Sequence, residues 1–101
     1  MLLVKGTTPT IQYTFSNIDP ANITDGYLVV KQGRINVIEI PLSDAVRGTN
    51  TISFTITQRQ SLQLTAGLKA LILFDWVIGS TRGQAKMLEA YVGIEGMDGV
   101  I

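Results

Sequence analysis

Apolar and polar residues alternate cleanly along two stretches of this chain. Thr10-Ile11-Gln12-Tyr13-Thr14-Phe15-Ser16 and Thr51-Ile52-Ser53-Phe54-Thr55-Ile56-Thr57 each place bulky apolar groups on one side and Thr, Ser or Gln on the other. That period of two predicts strands of a half-buried antiparallel sheet. The stretches 27–32, 35–40 and 68–78 differ, because their apolar side chains fall on both sides. Strands of that kind belong to a sheet covered on both faces. Expected strands cover residues 2–5, 10–16, 27–32, 35–40, 51–57, 68–78 and 84–94, separated by Gly, Pro, Asn and Asp. Short strands at such spacing predict an all-β sandwich.

Turn chemistry refines the picture. Gln32-Gly33-Arg34-Ile35 suits a two-residue hairpin loop with Gly at the first position, a type II′ turn. A regular register then pairs Val30 with Val37, Leu28 with Glu39, Val29 with Ile38 and Tyr27 with Ile40. With Ile38 and Ile40 in the core, Leu28, Val30 and Val37 point outward. A second hairpin, centred on Thr81, pairs Phe74 with Leu88, Ile72 with Ala90 and Ala70 with Val92 on the core side, and sets Trp76 opposite Lys86. Its other side holds Leu71, Leu73, Asp75, Met87, Glu89 and Tyr91. Thr57-Gln58-Arg59-Gln60 is a capping box, and predicts one helical turn before Gly67.

The two alternating strands thus form one sheet with a Thr/Ser/Gln exterior, and the hairpins form the other. The exterior of the hairpin sheet is expected to gather Leu28, Val30, Val37, Leu71, Leu73, Met87 and Tyr91. An apolar patch of that size marks an interface, and a chain of 101 residues has little left over to cover it. The expected cover is another copy of the chain or a different protein.

Composition supports this. The chain is 46% apolar and only 16% charged, and it should fold as a single domain, 1–101, burying roughly two-thirds of its unfolded surface. Eight basic and eight acidic residues cancel, and the basic ones stand singly. No basic stripe for a nucleic-acid backbone is present. With no cysteine and no histidine, disulfides, thiolate chemistry and imidazole-bound zinc are excluded. The strongly apolar run from Ala70 to Phe74 stops at Asp75, too short to span a bilayer. Residues 1–6 are too short for a signal peptide, so synthesis and retention in the cytoplasm are expected unless a larger particle carries the chain away.

Catalysis finds no foothold. Asp75 and Glu89, on neighbouring strands, are the best candidate acid/base pair, yet the register offsets them, and the remaining carboxylates are scattered. No serine has a base or a nucleophile-elbow context. Gly93, Gly96 and Gly99 lack the strand-then-helix setting of a phosphate cradle and read as a tail. No catalytic, cofactor-binding or metal-ligating residue is assigned, and no cofactor is expected. The threonine face (Thr10, Thr14, Thr51, Thr55) reads as a solvated strand surface. Tyr13, Tyr27, Trp76 and Tyr91 are the only aromatics suited to stack on a sugar, so a carbohydrate- or receptor-binding module is the alternative expectation.

The order of the pieces also resembles a known module. Lys5-Gly6-Thr7-Thr8-Pro9 precedes an alternating strand. An Ile-x-Phe-x-Ile-Thr strand follows at Ile52, then a Gln/Ser/Leu turn, Ala66-Gly67, two long strands and a final Gly96-Met97-Asp98-Gly99-Val100-Ile101. This resembles the small immunoglobulin-like β-sandwich proteins of phages and prophages of Gram-positive bacteria. It is also similar to the amino-terminal domain of phage upper baseplate proteins, although Ser61 stands where that pattern has a second Thr. The resemblance implies a non-enzymatic virion part, an adaptor or decoration on head or tail, whose partners are its own copies and other virion proteins.

Overall fold

Side-chain alternation along the Thr10 and Thr51 strands appears directly as pairing. The computed structural model describes residues 2–85 and 87–93. Its strands are β1 (Leu2–Val4), β2 (Thr10–Thr14), β3 (Asp25–Gln32), β4 (Ile35–Pro41), β5 (Val46–Arg47), β6 (Thr51–Thr55), β7 (Lys69–Ile78), β8 (Thr81–Gln84) and β9 (Leu88–Gly93), with a short α-helix, α1 (Gln58–Ser61), between β6 and β7 and 3-10 turns at Pro20–Asn22 and Leu42–Asp44. The smaller sheet has the order β2-β6-β5. The larger has the order β1-β9-β7-β3-β4, with β8 also paired to β7. The expected all-β sandwich is the fold: consecutive hairpins share one sheet, and the chain returns to pair β2 with β6 in the other. Among the described residues, all pairings are antiparallel except that of β1, which lies parallel to β9.

In the smaller sheet Thr10 faces Thr55, Gln12 faces Ser53 and Thr14 faces Thr51. Thr10 Oγ1 and Thr55 Oγ1 lie 3.2 Å apart, and Gln12 Nε2 donates to Ser53 Oγ at 3.2 Å. Ile11, Tyr13, Ile52 and Phe54 point inward and are buried. Tyr13 and Phe54 meet Phe74 of β7, whose ring centroid lies 5.1 Å from that of Phe54 and 5.3 Å from that of Tyr13. These aromatic contacts tie the two sheets together at mid-core.

The β3–β4 hairpin corrects the expected faces. Gly33 has φ +65°, and no non-glycine among the described residues has a positive φ, which fits the expected turn. The expected register also holds at the tip, where Lys31 faces Asn36 and Gln32 faces Ile35. Beyond it the register shifts by one between Val30 and Lys31, leaving Val37 as the extra residue of a β-bulge. Ile38 and Ile40 are in the core as expected, but the bulge delivers them to Val30 and Leu28 instead of Val29 and Tyr27. Leu28 and Val30 are therefore core residues, both 0% exposed, and not part of an outer surface. Across β7 they continue in buried rows, Leu28 beside Phe74 and Val30 beside Ile72.

The second hairpin is tighter than expected. Ile78 pairs with Thr81 around a Gly79-Ser80 loop, so 81–84, read as loop and strand start, forms the separate β8. Trp76 lies opposite Gly83, and a Cβ added at Gly83 would run into the indole. Lys86, the expected partner of Trp76, lies outside the described residues, as do Ile94 and the Gly96–Gly99 tail. From Asp75 to Ile72 β7 moves three residues while the opposite segment moves four, from Gln84 to Leu88. Ile72 thus pairs with Leu88 and Ala70 with Ala90, two residues from the expected register. A displacement of two keeps every face, so Ala70, Ile72, Phe74, Ala90 and Val92 are buried as expected.

The predicted capping box is present. Thr57 Oγ1 accepts from Gln60 N at 3.1 Å, and Gln60 Oε1 accepts from Thr57 N at 2.9 Å. Buried Ser61 ends the turn, accepting from Gly6 N at 3.0 Å and donating to Thr7 O at 2.7 Å, which fastens α1 to the β1–β2 connection.

Candidate functional site: the outer face of the larger sheet

With Leu28 and Val30 turned inward, the outer face of the larger sheet belongs to the opposite set of residues. β3 presents Asp25, Tyr27, Val29 and Lys31; β7 presents Val77, Asp75, Leu73, Leu71 and Lys69 in register beside them. Val29 and Leu73 are direct neighbours, and Leu71 sits between Lys31 and Glu89. Leu71, Leu73 and Val29 are half-buried by one another and by the flanking long side chains. Tyr91 is 53% exposed and Met87 45%. Of the seven residues expected here, Leu71, Leu73, Met87 and Tyr91 are on the surface, Val37 is half-buried at the bulge and packs against the core, and two lie inside. The patch is thus narrower than the hydropathy pattern suggested, an apolar strip with a charged rim.

That rim has both signs. Lys69 Nζ lies 3.9 Å from Glu89 Oε2, with both side chains well exposed, so the pair contributes little to stability. Asp75 accepts from Gln84 Nε2 at 2.8 Å. Asp75 faces Gln84, whereas Glu89 faces Leu71, which separates the two carboxylates by four residues along β7, about 13 Å at the rise of a strand. That exceeds the ~5–9.5 Å of a carboxylate pair acting on one bond. Among the described residues no group of His, Cys, Asp or Glu is arranged to hold a metal ion, and no helix is long and apolar enough to cross a membrane.

At the β7–β8 end the same face dips into an open cleft of about 560 Å³. Asp25, Tyr27, Asp75, Val77, Arg82 and Gln84 line it. Two aromatics line it, Tyr27, which is half exposed, and Trp76, which is partly buried and packs against the core. Hydropathy patterning gave no sign of the cleft. It arises because β8 extends the sheet beside β7, where the sequence predicts loop over 81–83.

No family model matches this sequence, and no curated protein or solved structure matches it significantly.

Proposed function

We propose that this chain is a non-enzymatic structural or assembly part of a phage or prophage virion, an adaptor or decoration on head or tail. It works by docking the outer face of its larger sheet onto copies of itself and onto other virion proteins. One observation carries the reading: the two sheets of the sandwich have different exteriors. The smaller is covered by Thr, Ser and Gln. The larger keeps Val29, Leu71, Leu73, Met87 and Tyr91 in a strip bordered by Lys31, Lys69, Glu39 and Glu89, an apolar centre within a polar rim as protein interfaces are built. The virion part of the reading rests on the sequence resemblance alone.

Light scattering on the purified protein tests the self-association. Oligomers that dissociate on Leu73→Asp, with the circular dichroism spectrum kept, are expected. A strict monomer at the highest attainable concentration overturns it. Mass spectrometry of purified particles from a host carrying the gene tests the virion assignment.

The cleft favours a second reading, a carbohydrate-binding module. Tyr27 offers a stacking face, and Asp25, Asp75, Arg82 and Gln84 surround it with donors and acceptors, in a volume within the usual range for small ligands. A glycan array on which wild type binds and Tyr27→Ala does not would favour it over the first.

A further inference from the structure

Among the described residues, the smaller sheet has an edge that no strand covers. Its order is β2-β6-β5; the first strand of the chain, β1, pairs with β9 in the other sheet instead of covering β2. Ladder geometry specifies which groups face that edge. Phe15 N donates to Asn50 O and Ile56 N to Pro9 O, both at 2.8 Å, so the pairs 9–56 and 15–50 are hydrogen-bonded. Hydrogen-bonded and non-bonded pairs alternate in an antiparallel ladder. Ile11 and Tyr13 therefore turn their N–H and C=O toward β6. Thr10, Gln12 and Thr14 turn theirs away, to the side where no strand lies among the described residues.

Folded proteins normally blunt such an edge with charge, proline, a bulge or brevity. The other edge strands show these devices. β5 has two residues, one of them Arg47; β1 has three; β8 has four, with Arg82; and β4 carries the bulge, Glu39 and a terminal Pro41. β2 differs: Thr10-Ile11-Gln12-Tyr13-Thr14 is uncharged and in unbroken register, and Pro9 before it belongs to the set that faces β6, so it does not block the outer edge. Its outward set, Thr-Gln-Thr, also reads the same in both directions about Gln12.

We infer that the β2 edge is a self-association site, where two copies of this chain join their smaller sheets through antiparallel β2–β2 pairing about a two-fold axis at Gln12. Gln12 then faces Gln12 of the second copy, and Thr10 faces its Thr14. Each of these pairs exchanges two backbone hydrogen bonds. The exposed Thr/Gln rows already bridge β2 and β6 by side-chain contacts, and the same residue types meet across the new junction with no like charges opposed. The occupant is a second copy because the register is self-complementary, as an isologous interface requires. This inference stands on the sheet opposite to the one in the proposed function.

Gln12→Pro tests it. Proline removes an N–H that β6 does not use and places a ring in the path of the added strand, a substitution edge strands accept. Gln12→Lys is the second variant: it leaves the backbone intact and sets two positive charges against each other at the axis. In a Leu73→Asp background, which silences the outer face of the larger sheet, light scattering should fall from about twice 11.0 kDa to the single-chain mass when either Gln12 substitution is added, with the Lys dimer partly restored by salt. In the wild-type dimer the amides of Thr10, Gln12 and Thr14 should exchange slowly, and in the Pro variant those of Thr10 and Thr14 should exchange fast, while Ile11 and Tyr13 stay protected in both. A dimer that survives both substitutions, or fast Thr10, Gln12 and Thr14 amides at concentrations where the dimer is full, overturns it. Oligomers lost on Leu73→Asp but untouched by either Gln12 variant overturn this inference and leave the proposed function standing; the reverse result does the opposite.

Discussion

Tyr13 brings its ring into the mid-core beside Phe74 while its Oη is buried without a hydrogen-bond partner among the described residues. Burial disfavours the charged phenolate and pushes the hydroxyl up to about 12 from 10.0. Between those values the unfolded chain has released a proton that the folded chain still holds. Stability from this group is therefore complete below pH 10 and is lost as the pH rises toward 12. Tyr13→Phe keeps the ring and removes the orphaned oxygen. It should raise stability by about 1 kcal/mol at neutral pH and flatten the alkaline decline, which denaturant melts at pH 7 and 11 would reveal. Position and inward direction of Tyr13 were legible from the alternation of 10–16. The missing partner was not, because it depends on which atoms of the other sheet meet the phenol.

At the level of single elements, local chemistry and tertiary contact divide the work. The Thr57 capping box is a four-residue signal, and α1 begins where it predicts. Ser61, by contrast, carries no local signature of its role. It is 0% exposed because the β1–β2 connection, more than fifty residues away, supplies a donor and an acceptor for its hydroxyl. Ser61→Ala leaves Gly6 N and Thr7 O without that partner in a partly buried site and should cost about 1–3 kcal/mol. Thermal denaturation measures it, and a loss below that range would mean that water replaces the hydroxyl. Both hairpins teach a related lesson. Their Gly33 and Gly79 turns follow from glycine's access to positive φ, but a bulge lies two or more residues beyond each turn, where turn chemistry no longer sets the register.

For the molecule as a whole, those bulges separate core from surface. Val30→Asp puts an unpaired charge among 0%-exposed side chains and should abolish folding. Leu73→Asp, on the outer face, should leave the circular dichroism melt cooperative and weaken assembly. A folded Val30→Asp protein would contradict the buried rows of Leu28 and Val30. The sandwich, its division into two sheets and the threonine exterior follow from residue order alone, since β2 and β6 gain apolar burial on one side only and that difference orients them. β3 has apolar groups on both sides, so its two orientations bury similar area and hydropathy cannot choose between them. One extra residue at Val37 chose, by bringing Ile38 and Ile40 opposite Val30 and Leu28. Such a choice rests on how side chains from distant strands fill a shared interior, a property that exists only once those strands have met.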